Sequence, residues 1–489
     1  MTTRASQLRT PTAFAAAMGV GLTTLATMST VAPAPTAHGA TARPNVVLIT
    51  TDDASIVDLR YMPNVQRLLV AQGTTMTDAI APTPICVPAR ASILTGQYAL
   101  NHGARTIDGP RGGFTAFRDT NTLPTWLRRA GYDTLFTGKY LNGYGGSASR
   151  DRYVPPGWSD WRGALDPTTY RFFNSRFSLN GRAMRSKGYS TYAITNFSKQ
   201  MLDRQHKRPN KPFFMWTNYV GPHHGGPRAP DDPVKPWIVN TTPAPQDNNT
   251  FRRLAIPKSP DLWEANVTGN RFAMAPRNAA YKSAMREVFQ QRVEALQSVD
   301  RGVASIIGKL RRNGDLANTY VIFTSDNGYL TGHHNRDGKL VPYDKSLRIP
   351  MIIRGPGVPR NKRLSTTVTN PDLAVTIASI ARAQITRTPD GVNFLPRLTK
   401  PATIRPIPIR GWDVHDGRRE LYRGIRYGKL TFFRYGKNRR PELYDRARDP
   451  GELTNVVNRT RYASQRAMMV RLYNKYVSCR GASCPKAWG

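Results

Sequence analysis

Cysteine is scarce in this sequence, three in 489 residues, which excludes a fold stapled by a disulfide framework. Cys479 and Cys484 stand close enough to bridge, and Cys86 is left alone near the other end of the chain. Acidic residues are also few. Asp and Glu number 32 against 71 Lys plus Arg, a net charge of +39, which suits a polyanionic partner such as nucleic acid, an acidic lipid surface or a sulfated glycan. Beyond the N-terminus no apolar run is long enough for a transmembrane helix. Internal repeats and low-complexity blocks are missing too. With 39% hydrophobic residues, the composition is that of a folded chain of two or three domains.

Arg4 and Arg9 precede an apolar run from Ala13 to Leu22, and Ala32-Pro33-Ala34 or Ala40-Thr41-Ala42 offers a small-residue cleavage site. Residues 1–42 therefore read as a secretory signal peptide, with a run too short to span about 30 Å of hydrocarbon. Loss of Arg4 and Arg9 leaves 39 − 2 = +37. The mature protein is expected outside the cytoplasm, secreted or in the cell envelope. Such an oxidising destination fits a Cys479 to Cys484 disulfide.

Short runs rich in Val, Ile, Leu and Phe then alternate with amphipathic segments, the pattern of an α/β fold with a large, mostly parallel sheet flanked by helices. Four of these runs end in chemistry. Residues 45–51 lead to Asp52 and Asp53, 132–137 to Lys139, 212–220 to His223 and His224, and 319–325 to Asp326 and Asn327. Ligands of open α/β sheets bind at the carboxyl ends of strands, so these endings are expected to converge on one crevice. Helices are expected over Thr122 to Arg129, Ser283 to Leu310 and Ser464 to Tyr476, with a long irregular excursion around 222–270. The catalytic domain is placed at 43–396. A small C-terminal α+β domain, with a hairpin over Arg419 to Arg434, is placed at 397–489.

Asp52, Asp53, Asp326 and Asn327 offer only oxygen donors, which suit Ca²⁺ or Mg²⁺ rather than zinc. Either pair alone is also compatible with a turn or a helix cap. Cys86-Val87-Pro88-Ala89-Arg90 adds a lone cysteine before a proline and an arginine, at the start of an expected helix. This run resembles the sulfatase signature Cys-x-Pro-x-Arg, and Asp52-Asp53, Gly138-Lys139 and Asp326-Asn327-Gly328 follow the order of that family. The likeness covers nearly the whole mature chain. Gly138-Lys139-Tyr140-Leu141-Asn142, Pro156-Gly157-Trp158-Ser159 and Thr324-Ser325-Asp326-Asn327-Gly328-Tyr329 resemble N-acetylglucosamine-6-sulfatases and heparan 6-O-endosulfatases in particular, and Glu442-Leu443-Tyr444-Asp445 resembles the family's C-terminal closing motif. Val87 departs from the small residue usual there. Leu141 replaces a histidine of many arylsulfatases, a feature shared with the glucosamine-6-sulfatase branch.

The resemblance implies an alkaline-phosphatase-like fold and a sulfuric ester hydrolase. Cys86 would be oxidised to formylglycine by a maturation enzyme, and its hydrate would be the nucleophile. Asp52, Asp53, Asp326, Asn327 and modified Cys86 would hold Ca²⁺, with Mg²⁺ as the alternative. Arg90 would orient the formylglycine, while Lys139, His223 and Lys339 would grip the sulfate oxygens. His223 or Lys339 would protonate the leaving oxygen, and His102 or Asp53 would supply the base missing at Leu141. Asn142, His224, His333 and His334 are candidate substrate contacts. The expected substrate is a 6-O-sulfated glucosamine unit of a glycosaminoglycan or similar sulfated glycan. The alternatives are an aryl sulfate, a phosphate or phosphonate monoester, or polyanion binding without catalysis; no specific nucleic-acid partner is expected.

Overall fold

The computed structural model describes residues 43–233, 238–435 and 441–486. The expected signal peptide lies outside the described residues. Ten strands form the main sheet: β1 (Asn45–Thr51), β2 (Thr74–Ile80), β3 (Asp133–Gly138), β4 (Asp160–Ala164), β5 (Arg176–Leu179), β6 (Arg182–Arg185), β7 (Phe213–Asn218), β8 (Thr319–Ser325), β11 (Met351–Arg354) and β12 (Lys362–Thr369). The short pair β9 (Leu330–Thr331) and β10 (Asp337–Gly338) lies between β8 and β11. The strand order is β12-β2-β11-β8-β1-β7-β3-β4-β5-β6. The central run β8-β1-β7-β3-β4 is parallel, while β11 and the β5–β6 hairpin are antiparallel. The sheet is thus mixed, with a parallel centre.

The central strands are apolar on both faces because both are covered. Val46 and Leu48 of β1, Phe214 and Trp216 of β7 and Ile322 of β8 enter one core. Val47, Ile49, Phe213, Met215, Val321 and Phe323 enter the other. Five helices of ten or more residues occur among the described residues: α1 (Cys86–Thr95), α2 (Ser190–His206), α3 (Ala279–Arg312), α4 (Asn370–Ile380) and α5 (Ala463–Tyr476). Ile93 and Leu94 of α1 and Leu373 and Ile377 of α4 fill the first core, and α2 and α3 fill the second. The expected helix near 122–129 is found at Leu123–Arg129.

Register aligns the ends that matter. Thr51 pairs with Ser325, Thr50 with Asn218, and Gly138 with Asn218, so β1, β8, β7 and β3 finish side by side. Among the described residues, the irregular segment after β7 contains one short helical turn, Pro245–Asp247, and its Ile238 and Ile256 pack on Tyr281, Met285 and Phe289 of α3.

A second, antiparallel sheet has the order β13 (Ile407–Trp412), β14 (Glu420–Tyr427), β15 (Leu430–Arg434) and β16 (Glu442–Asp445). The expected hairpin is β14–β15. One face of this sheet packs on α5 through Ile425, Phe432 and Leu443 against Met469 and Tyr473. The other packs through Ile407, Ile409 and Phe433 on Ile80, Leu330, Tyr343 and Leu347 of the larger unit. Cys479 and Cys484 are joined as a disulfide, and Cys86 is free and buried.

Candidate active site

The four aligned strand ends deliver Asp52, Asp326, Lys139 and His223 to one crevice, and α1 points its first residue, Cys86, into it. Gly138 is needed for the close fit: at φ 96° a Cβ there would lie 1.8 Å from the Asn218 carbonyl oxygen. Without it, Lys139 N donates to that carbonyl at 3.2 Å. Asp53 takes a left-handed φ of 71°, a conformation Asp tolerates better than most residues. Lys339 arrives from the loop after β10.

These groups touch. Cys86 Sγ lies 3.4 Å from Asp52 Oδ1 and receives a contact from Lys339 Nζ at 3.1 Å. Lys139 ion-pairs with Asp52, and Lys339 with Asp53. Arg90 Nε donates to Asp326 Oδ2 at 2.9 Å, and its Nη1 donates to the Lys139 carbonyl at 2.9 Å and to Asn218 Oδ1 at 3.0 Å. Asn327 Nδ2 donates to Asp53 Oδ1 at 2.7 Å. His223 Nε2 faces Asp53 Oδ2 at 3.7 Å.

The oxygen donors of Asp52, Asp53 and Asn327 fit a hard cation. Ligand atoms of Asp52, Asp53, Cys86 and His223 lie within 4.8 Å of one another. Asp53 Oδ2 and Asn327 Oδ1 are buried without a hydrogen-bond partner, and a buried oxygen left unpaired is costly unless something else satisfies it. Asp326 differs from its neighbours. One of its oxygens meets Arg90, and the other accepts from the backbone amides of Asp53 at 3.1 Å and Asn327 at 2.9 Å.

Burial opposes every charge here, and the neighbours decide the outcome. Although burial acts to raise it, Lys139, His223, Arg90 and Lys339 hold the Asp52 carboxyl well below the usual range. Asp53 is likewise brought down to about 2 by Lys339 and His223 against the effect of burial. Asp326 is pushed up to about 6 by burial and by Asp52, which together outweigh Arg90. Burial, aided by Asp52, lifts the Cys86 thiol to about 12. An unmodified Cys86 is therefore a neutral thiol, unlike the lowered-pKa cysteines that act directly as nucleophiles. Burial drives His223 well below its ordinary value. Its Nδ1–H donates to the His224 carbonyl at 2.7 Å, which leaves the Nε2 lone pair facing the carboxylates.

Asn142 and His224 lie beside this cluster. Asn142 Nδ2 donates to Tyr170 Oη at 2.8 Å, and His224 is 4.0 Å from His223, ring to ring. The other expected histidines are elsewhere. His102 was a candidate base, but one of its ring nitrogens serves α1 and the other its own segment. Nε2–H donates to the Pro88 carbonyl at 3.2 Å, beside Ser92 Oγ at 3.2 Å, and Nδ1 accepts from Ala104 N. His334 contacts Glu264 at 2.9 Å and stacks on Tyr343, while His333 Nδ1 accepts from Thr331 N. None of these contacts involves a group of the crevice.

Three residues that touch the crevice escaped the sequence reading. Asn218 accepts from Arg90 and from Thr50 Oγ1 at 2.6 Å. Tyr170 stacks on His223 at 4.5 Å and lies 4.9 Å beneath the Lys139 ammonium. Arg292, from α3, donates to the Asp53 carbonyl at 2.5 Å and the Pro222 carbonyl at 3.1 Å. A strand-end asparagine gave a weak signal; the other two gave none.

Residues 332–477 match the family described as N-sulphoglucosamine sulphohydrolase, C-terminal. N-acetylglucosamine-6-sulfatase of Capra hircus is 35% identical over 377 residues, 73% of this chain and 64% of that enzyme. The chain thus spans less than two thirds of that relative's length. Arylsulfatase of Volvox carteri is 30% identical over 512 residues, covering 93% of this chain and 77% of its own. A solved structure of a protein with its substrate D-glucosamine-2-N,6-O-disulfate shares the fold, with a TM-score of 0.71 at 20% identity over 88% of this chain and 97% of that one. Residues 44–383 match the family described as Sulfatase; because that span carries every strand end of the crevice, the chain belongs to the sulfatase family.

Proposed function

We propose that this protein hydrolyses O-sulfate esters of sugars, foremost 6-O-sulfated glucosamine units, after conversion of Cys86 to formylglycine and secretion. The observation that carries the reading is the buried cluster itself: Cys86 beside Asp52 and Lys339, with unpartnered oxygens on Asp53 and Asn327. Asp52, Asp53 and Asn327 would hold a divalent cation, Ca²⁺ before Mg²⁺, with Asp326 completing the shell or fixing it through Arg90. Such a cation supplies Lewis-acid charge at the sulfate oxygens. Formylglycine supplies a diol whose second hydroxyl lets the aldehyde re-form once sulfate departs.

The remaining work falls to ordinary side chains. Asp52, Asp53 and Asp326 balance Arg90, Lys139 and Lys339, three charges against three, so a bound dication leaves positive charge for an anionic ester. Lys139 would bind the sulfate oxygens, and His223 would join it only with a proton on Nε2, the ring nitrogen that faces the carboxylates. Lys339, whose ammonium is held by Asp53 next to position 86, would carry the proton for the leaving oxygen. The relatives named for N-acetylglucosamine-6-sulfate and the Cys479–Cys484 disulfide support the substrate and the destination respectively.

The test is sulfate release by purified, matured protein from glucosamine-6-sulfate, an N-sulfated analogue and an aryl sulfate. Release from the 6-sulfated sugar, lost in Cys86→Ala and on chelation, is expected. Preference for the aryl ester would overturn the substrate assignment, and release that survives both controls would overturn the mechanism.

A further inference from the structure

A groove of about 900 Å³ opens where the segment at 266–271 meets the small sheet, and none of the strand-end residues lines it. Its floor is fixed by hydrogen bonds. Buried Asn270 donates to Glu264 Oε1 at 2.8 Å and to the Glu452 carbonyl at 3.3 Å. Glu442, 3% exposed, accepts from Arg271 N at 3.0 Å and from Tyr435 Oη at 2.8 Å, and lies 2.7 Å from Tyr444 Oη. Its carboxylate is therefore turned inward and occupied. The walls are different: the side chains of Arg271 and Arg459 are exposed, with no carboxylate at ion-pair distance among the described residues.

We propose that this groove binds an anionic unit of a sulfated glycan, remote along the same saccharide chain from the ester that is cut. Guanidinium forks match sulfate and carboxylate oxygens, and Thr268 and Thr454 add hydroxyls suited to a sugar. Nucleic acid fits poorly. Its single strands need an open aromatic face for stacking, and Tyr435, the aromatic residue of the lining, is 4% exposed. The groove also shares a support with the crevice: Glu264, which holds Asn270, contacts His334 at 2.9 Å, five residues before Lys339. The proposal rests on the sulfated-glycan reading above.

The test measures binding of a size-defined heparin hexasaccharide to Cys86→Ala protein by calorimetry. The doubly substituted Arg271→Ala, Arg459→Ala protein is compared with Arg182→Ala, Arg185→Ala, which removes the same charge from the exposed edge strand β6. The groove pair is expected to weaken the hexasaccharide about five- to tenfold, the scale of two exposed ion pairs, and the edge pair by less than about twofold. With Cys86 present, the KM for glucosamine-6-sulfate monosaccharide should not change in the groove variant. Equal weakening by both pairs, or none by the groove pair, overturns the proposal. Because this binding needs no turnover, arginine-dependent capture without sulfate release would refute the activity and leave the groove standing.

Discussion

At position 102 the physical chemistry of one side chain separates a structural histidine from a catalytic one. Burial, with the Pro88 hydrogen bond acting against it, lowers His102 from its ordinary 6.5 to about 3. The folded protein therefore keeps the ring neutral where the unfolded chain would protonate it. The unfolded state then binds more protons, so this contribution to stability is complete above pH 6.5 and is lost progressively as the pH falls towards 3. Between 6.5 and 5 the loss is about 2 kcal/mol. A His102→Gln variant should be less stable than the parent at pH 7 and should lose about 2 kcal/mol less between pH 7 and pH 5, read from urea midpoints at each pH. Parallel declines would mean that the ring already titrates freely. The sequence placed His102 near the signature, and so it is. However, it packs against the side of α1, where Pro88 and Ser92 take its ring nitrogen, and short separation along the chain does not specify which side of a helix a residue meets.

The strand ends were legible because a buried parallel sheet demands uninterrupted apolar runs, and Asp52, Asp326, Lys139 and His223 each interrupt or follow one. Helix α3 was legible for the same reason, through Val299, Val303 and Ile307, though it begins at Ala279 and not near Ser283. What the pattern hid is Arg292. An arginine on a long helix reads as a solvated charge, yet this one is 4% exposed and lies 4.1 Å over the Tyr329 ring, between Asp58 and two loop carbonyls. Its guanidinium ties the Asp53 loop to the loop that carries His223. Buried hydrogen bonds from a charged donor are worth about 1.5–3 kcal/mol each. Arg292→Met keeps the stem and removes both donors. With the proposed Ca²⁺ as the bound cation, it should weaken that binding about tenfold or more, measured by calorimetric titration of folded protein, with partial recovery in Arg292→Lys. Unchanged Ca²⁺ affinity alongside a lowered Tm would assign Arg292 to stability alone.

At the scale of the molecule, the chain passes from the large sheet and its helices, ending at Ile380, to the small sheet, starting at Ile407, and the packing is continuous across that passage. Ile407, Ile409 and Phe433 of the small sheet share one core with Ile80, Tyr343 and Leu347, and charges cross the same seam. Arg426, 1% exposed, ion-pairs with Asp78 and Asp344 at 2.7 Å each, and Arg446 reaches Asp344 at 3.2 Å. Asp344 also donates its backbone N–H to Glu452 Oε2 at 2.6 Å. None of this could be read from the chain, since the partners are up to 348 residues apart and each arginine resembles the many others that give the protein its charge. Removing Arg426 takes the ion-pair partner from Asp78, while Asp344 keeps Arg446 and Arg348; breaking a buried pair in this way costs about 3–5 kcal/mol. Arg426→Met should therefore lower stability by that amount while thermal unfolding stays a single transition, because the core joining the two sheets cannot be exposed on one side only. Differential scanning calorimetry decides it. Two resolved transitions in the variant, with the larger unit melting as in the parent, would show that the small sheet folds independently and that the seam is an interface between separate domains.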